Sequence, residues 1–493
     1  MSTSFYDVVV LGSDLAATVG GAVLAHRGFR VLMAGIPVEE RYTIGPYSLP
    51  RAPLAFVGIE GPTLKRIVGE LNLVQLLRRR LEPNRPAYQL LLPDHRIDIG
   101  DDLGRELARE MPDGAAAFET AAARAAEVSA AIEGILSQDL ILPPDGFWDR
   151  RDANRVAARL PAPDEDLLSA LPDKHPLRAA YLMPAHFGAA FDDVGPVSIA
   201  RLGDLHRRGT FRLDGGREGL RGLLLDRLKT HSGEVRPDLV PKAILTKRGK
   251  VTGVQFEGRN ESIGCAHVLC GMGADRVAQL VADGGEKPPK RLLEAGAIKP
   301  AAWRYLVHLV APLDALPDAL GRLAYVVGDL GQPLTGANAL TLHLADGYGQ
   351  HAVLSVEAHT PNTPDGASPE ALRALRTAVR RELDKQLPFV DRHLLLVHSP
   401  HDGFAPEGVD GERGQAPPPV TMEPIWAMPR DDRPLGFCGL PHGTGIKHLL
   451  LASRQVLPGL GVEGELAAGW AAARLVLQTE RKRDLVKGAV LEG

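Results

Sequence analysis

Near its start the chain carries a continuous apolar run, Val8-Val9-Val10-Leu11, that stops at Gly12. Residues in a strand exposed on one face alternate in polarity, whereas an unbroken apolar run of this length belongs to a parallel strand covered on both faces. From Leu15 to Arg27 the residues are small or apolar at helical spacing, Gly28 is a natural stop, and Phe29 to Met33 reads as a second buried strand. A strand, a tight loop, a helix and a parallel strand within about 30 residues commit this part of the chain to an α/β sheet with helices on its faces.

Residues 62 to 210 change character. Thr63 to Leu81, Gly100 to Met111, Gly114 to Gln138 and Ser198 to Arg208 carry amphipathic helical spacing, with proline-rich joints at Leu142-Pro143-Pro144 and Pro161-Ala162-Pro163, so a helical cap is expected. The α/β pattern then returns: a helix from Arg217 to His231, a strand from Gly233, a hairpin over Ala243 to Glu257 turning at Arg248-Gly249-Lys250, and a buried strand at His267 to Gly271. Strand-like runs at Tyr305 to Val310, Leu340 to Leu344 and Ala352 to Val356 predict an antiparallel sheet in a second domain, with a charged helix over Pro369 to Leu387. Gly403 to Pro419 reads as a surface loop, Leu449 to Ala452 as a strand, and Gly464 to Glu480 as an alanine-rich closing helix. The expected fold class is α/β: a Rossmann-like FAD/NAD(P)-binding domain from 1–61, 211–298 and 430–493. A second, α+β substrate domain, antiparallel sheet plus helical cap, takes 62–210 and 299–429.

Composition narrows the function. A formal net charge of -4 gives no electrostatic case for nucleic acid, and local basic clusters such as Arg78 to Arg80 and Arg481 to Arg483 read as solvated helix faces. Three cysteines without a CxxC pair support neither a disulfide framework nor a cysteine zinc site, and no histidine spacing suggests a metal. With no signal-peptide pattern, the expected location is cytoplasmic. No apolar stretch reaches the roughly 18 residues of a membrane span, which leaves only peripheral membrane contact open. No GxSxG nucleophile elbow is present, which argues against a hydrolase.

Three separated segments, in order, resemble the FAD-dependent amine-oxidase and phytoene-desaturase superfamily. They are Tyr6 to Gly12 running into Leu24 to Leu32; Gly215-Gly216-Arg217-Glu218-Gly219-Leu220 continuing through Val251 to Val254 and Val268 to Cys270; and Pro458-Gly459-Leu460-Gly461-Val462-Glu463-Gly464 before a helix containing Gly469. The resemblance implies FAD with its pyrophosphate at the N-terminus of the first helix, where free N–H groups and the helix dipole favour anions. It implies cofactor-side roles for Gly12, Ser13, Asp14, Ala17, Arg454, Gly459 and Glu463, and for Val240 through its backbone at the adenine.

The chain departs from that pattern at marked places. Asp14 stands where the second loop glycine is expected, and a carboxylate about 4 Å from a dianion costs on the order of 4 kcal/mol at an effective dielectric near 20, about a thousandfold in affinity. Ala34 and Gly35 stand where an acid should hold the adenosine ribose, leaving Glu39 or Glu40 as substitutes, and Ser453-Arg454 replaces a Gly-Asp pair. Arg454 either pairs with Asp14 and fills the phosphate site, or offsets Asp14 and contacts the pyrophosphate. Asp14 is also a natural helix N-cap. His442, in a flexible Gly-Leu-Pro-His-Gly-Thr-Gly loop, is the candidate pocket residue, and no catalytic residue is otherwise indicated.

The resulting expectation is an FAD-dependent oxidoreductase resembling phytoene desaturases, acting on a small apolar, isoprenoid or lipid-like substrate. Its alternative is a flavin-free protein on the same scaffold that carries a lipid-like or prenylated ligand. An NAD(P)-binding protein is the third and weakest reading, since the acid that ends the second strand is missing.

Overall fold

The computed structural model describes residues 5–12, 14–35, 41–259, 262–363, 366–408 and 417–480. Its organising element is a seven-stranded sheet with the N-terminal strand β1 (Phe5–Gly12) inside it. On one side β1 runs parallel to Ile263–Gly271 with Val9 opposite Val268; on the other it runs parallel to β2 (Val31–Ala34) with Val9 opposite Leu32. Val8 to Leu11 are fully buried, as a strand covered on both faces must be. Beyond β2 lies Glu234–Arg236, and at the other edge the hairpin Pro241–Lys247 and Lys250–Phe256 pairs antiparallel, turning at residues 248–250 as expected. Strand Leu449–Leu451 extends the parallel part alongside Ile263–Gly271.

Helix α1 (Leu15–His26) is buried along its length from Leu15 to Ala25. It can lie that deep because its residues are small. A Cβ on Gly469 of the C-terminal helix Gly461–Thr479 would stand 2.2 Å from the Ala16 carbonyl oxygen, and a Cβ on Gly21 would press on Val10 and Leu228. The backbones of α1 and the C-terminal helix therefore meet almost directly, and side chains of β1 and of the helix Gly216–Thr230 close on α1 at Gly21.

The second sheet has eight strands. Its spine is Pro300–Pro312 paired antiparallel with His351–Pro361 in unbroken register from Ala302 opposite Pro361 to Pro312 opposite His351. Ala339–Asp346 and Leu323–Val327 follow, antiparallel as predicted. The helical block over 62–210 contains seven α-helices, among them Pro112–Ser137 and Pro196–Arg208, together with three strands that its amphipathic spacing does not announce. One of these, Tyr88–Leu91, pairs parallel with Leu323–Val327, so part of the block belongs to the second sheet. Four apolar or amide residues between prolines carry too little periodicity to reveal a strand. The helix expected over Thr63 to Leu81 is two helices, Pro62–Glu70 and Val74–Arg78, broken where Asn72 takes a positive φ of 53°. The loop expected over 403–419 lies partly outside the described residues.

Gly12 adopts φ +96°, and a Cβ there would meet the Gly271 carbonyl oxygen at 2.3 Å. Gly12→Ala is expected to destabilise the fold by more than about 3 kcal/mol, read as lost soluble expression or a large drop in denaturation midpoint.

Candidate functional site

The cleft between the two sheets begins where β1 ends. Asp14 occupies the N-cap position of α1 but does not cap it: its Oδ2 accepts the backbone N–H of Arg454 at 3.1 Å. The Asp14 N–H is itself directed back to the Gly271 carbonyl at 3.4 Å, so it is turned inward rather than toward a ligand. The Arg454 guanidinium points away from Asp14 to two other acids, Glu423 at 2.5 Å and Glu465 at 3.6 Å. Glu465, in the first turns of the C-terminal helix, is in turn held by both of its oxygens on Arg217, at 2.6 and 2.9 Å. Five side chains from four distant parts of the chain thus form one connected cluster of three carboxylates and two guanidiniums.

The electrostatics follow the connections. Burial raises the Asp14 carboxyl to about 6 against the lowering effect of Arg454, with Glu465 adding to the rise. Burial also opposes ionisation of Glu423, but Arg454 and Arg217 outweigh it and hold that group down to about 2. Glu465 is likewise lowered, burial being overcome by Arg217 and Arg454. The arginines therefore serve Glu423 and Glu465 first. Asp14 is the acid left over.

A cavity of about 140 Å³ adjoins this cluster, lined by Arg217, Arg304, Glu357, Glu423, Arg454 and Glu465 among others. An adjoining cavity of about 370 Å³ lies toward Asp214, Gly215 and Gly216, and neither Asp14 nor Arg454 lines it. The face of the second sheet that looks into the cleft carries polar groups beside the apolar Leu306: Arg304 pairs with Glu357 at 2.6 Å, with Tyr325, Thr341 and His343 near them, while Leu54, Val57, Phe187 and Leu202 line the rest of the cavity.

Of the remaining predicted residues, Ser13 lies outside the described residues, as do Glu39 and Glu40. Gly12 and Ala17 sit at the strand–helix junction, Ala17 against Gly271. Gly459 is packed on Phe437 and Ser198. Val240 is exposed, and its carbonyl accepts the N–H of Glu257. Glu463 faces away from the cleft in a bidentate pair with the fully buried Arg201, at 2.7 and 2.8 Å, and Arg201 also bonds Ser129 and Glu133. His442 is fixed by two backbone carbonyls, Leu451 at 2.7 Å and Leu142 at 3.1 Å, and does not line the central cavity. Glu423, Glu465, Arg217 and Arg304 were not foreseen as a group. Arg217 alone left a trace, inside the resembled segment Gly215 to Leu220, where it was given no role.

Neither a protein-family model nor a curated protein sequence matches the chain. Solved structures do. Wild-type putrescine oxidase bound to putrescine aligns with a TM-score of 0.62 at 11% identity, over 97% of this chain and 100% of its own. Cyclohexylamine oxidase from Brevibacterium oxydans IH-35A aligns at 0.56 and 13%, over 97% and 99%. An oxidoreductase from Methanosarcina mazei aligns at 0.57 and 14%, over 95% and 99%. The chain has the fold of the amine-oxidase-type oxidoreductases. At such identity the likeness is one of fold, and the site has to be read from its own residues.

Read that way, the cradle at the N-terminus of α1 does not fit a dinucleotide pyrophosphate as its side chains stand. A carboxylate lies where the phosphates would approach, and the nearest guanidinium is held by two other acids.

Two outcomes follow. An acid whose folded pKa is raised stabilises the fold fully below its unfolded value near 4, and that contribution is lost as pH rises through about 6. Asp14→Asn, which keeps an acceptor for the Arg454 N–H, is therefore expected to gain up to about 3 kcal/mol over the parent at pH 8 and little at pH 4. Urea midpoints at the two pH values check this. Glu463→Ala, which strands a buried guanidinium, is expected to cost about 3–5 kcal/mol, whereas a cofactor-only role for Glu463 would leave the apo-protein's midpoint unchanged.

Proposed function

We infer that the chain is a flavin-free binding protein built on the fold of the amine-oxidase-type oxidoreductases. One observation carries the reading: the Asp14, Arg454, Glu423, Glu465 and Arg217 cluster takes up, within the protein itself, the charge-bearing positions from which a pyrophosphate would be held. Three acids against two arginines leave the cluster with an excess of negative charge wherever Asp14 is ionised, the opposite of what a dianion needs. The cleft's ligand is polar in this reading. Ionic and hydroxyl groups on the facing sheet would be stripped of water by a lipid-like or prenylated guest without replacement hydrogen bonds, at a cost of about 1–3 kcal/mol for each unsatisfied group.

A second reading, an FAD-dependent oxidoreductase, is favoured by a different observation. The fold match runs over 97% of the chain, and Gly12 and the buried helix behind it keep the backbone form of a nucleotide cradle. The desaturase-type chemistry and apolar substrate of the sequence-based expectation belong to this reading. It requires Arg454 and Arg217 to exchange their carboxylates for the cofactor. FAD bound there would supply the hydride-accepting centre, and the chain's part would be to position the substrate.

The visible spectrum of the purified protein, followed by equilibrium dialysis against FAD, separates the two. The flavin-free reading expects a colourless protein that retains no FAD, and an Asp14→Gly variant, which removes the opposing carboxylate, that gains FAD affinity by about a thousandfold relative to the parent. Stoichiometric FAD in the parent protein overturns it in favour of the oxidoreductase.

A further inference from the structure

Four arginines line the central cavity, and three acids do. Arg217 is matched to Glu465, Arg304 to Glu357 and Arg454 to Glu423, at 2.6, 2.6 and 2.5 Å. The fourth, Arg51, has no carboxylate within ion-pair distance among the described residues. Its Nε and Nη1 are buried without a hydrogen-bond partner. A buried guanidinium without an acceptor is costly, and such groups in native proteins call for an explanation, commonly a bound ligand or ion.

Arg51 is nonetheless held in place. It follows directly on the short strand Tyr47–Pro50, and its guanidinium lies over the Tyr42 ring, 4.8 Å from the centroid. Tyr42 is fixed in turn by a hydrogen bond between its hydroxyl and His398 Nδ1 at 2.9 Å. The neighbouring histidines are held toward their neutral form and cannot supply the missing anion. Burial, with help from Arg376, Arg51 and His401, lowers His398 to about 4, and burial also lowers His401 and His308. The nearby acid Asp402 is already engaged by the Tyr305 hydroxyl at 3.1 Å, the Phe404 N–H at 3.0 Å and Arg376 at 3.6 Å.

We propose that the cavity between the two sheets binds a small organic monocarboxylate whose carboxylate is the counter-ion of Arg51. A ligand carboxylate gives the buried donors of Arg51 the acceptor that none of the acids in the cavity wall provides. The volume of about 140 Å³ admits a molecule of a few heavy atoms, and Thr341, His343 and Tyr325 supply further polar contacts along the same wall. The inference rests on reading the cleft as a ligand cavity, and it names the ligand's chemical class.

The test uses sodium propionate, titrated calorimetrically into the full-length protein at constant ionic strength with sodium chloride as the control. Saturable one-to-one binding is expected for the parent. Arg51→Gln is expected to weaken it about 10- to 100-fold, as loss of a charge-assisted hydrogen-bonding partner does, and Arg51→Lys to weaken it less. Without ligand, Arg51→Gln should lower the melting midpoint by no more than loss of the Tyr42 contact accounts for, about 1 kcal/mol, because the guanidinium it removes makes no ion pair among the described residues. Unchanged propionate binding in Arg51→Gln, no saturable binding to the parent, or tighter binding of inorganic phosphate than of propionate each overturns the proposal. Repeating the titration after incubation with FAD keeps the questions apart. Retained FAD defeats the flavin-free reading, whereas the effect of Arg51→Gln on propionate affinity speaks only to the carboxylate site.

Discussion

The burial of α1 is the constraint on which the rest of the structure depends. A helix can be enclosed on nearly all sides only if its neighbours come within backbone distance, and glycines at 12, 20, 21, 271 and 469 supply that closeness. The parallel strands beneath the helix, the C-terminal helix against it and the helix Gly216–Thr230 beside it are positioned by those contacts. Because the first and last parts of the chain meet there, the segment that carries Arg454 and Glu465 is delivered to the N-terminus of α1. The cleft is a consequence of this packing, whatever fills it.

What fills it is set by charge. In this fold the N-terminus of α1 is an electropositive end with inward-facing amides, and it attracts an anion. Here Asp14 places a carboxylate of the chain itself beside that end without bonding the amides of the helix. Its carboxylate takes an N–H from the opposite segment, and the guanidinium of the same residue, Arg454, is committed to Glu423 and Glu465. Converting this arrangement to a cofactor site would require breaking buried ion pairs and leaving their acids uncompensated, a cost of several kcal/mol for each pair. Retention of a fold and retention of its ligand are therefore separate questions for this chain.

The fold was legible in the sequence because its signals are local. An unbroken apolar run, a helix of small residues, a hairpin turn at 248–250 and the strand-like run Ala352 to Val356 each show in a single window of the chain. The strand Tyr88–Leu91 was missed because its assignment comes from pairing with Leu323–Val327, far away in sequence. The site was legible only in part. Asp14 and Arg454 stood out against the resembled motif, but the motif could not say that they meet through a backbone N–H. Arg217 joins the cluster across 248 residues of sequence and Glu423 across 31, and ion pairs between such segments leave no periodicity. Glu463 misled for the opposite reason. It lies in the resembled segment, yet one helical face separates it from Glu465, and that rotation turns it to Arg201 instead of to the cleft.

The two buried arginine systems divide the work of holding the domains together. Arg201 joins Pro196–Arg208 to the long helix Pro112–Ser137 through Ser129 and Glu133, and to the C-terminal helix through Glu463, with every strong donor satisfied. The Arg454 and Arg217 system joins the C-terminal helix to the second sheet through Glu423, and it borders open space. A closed network contributes rigidity and has no capacity for a guest. A network beside a cavity, with the donors of one further guanidinium unsatisfied in the same wall, leaves an acceptor to be supplied, and that gap rather than the inherited nucleotide cradle is where the proposed ligand belongs.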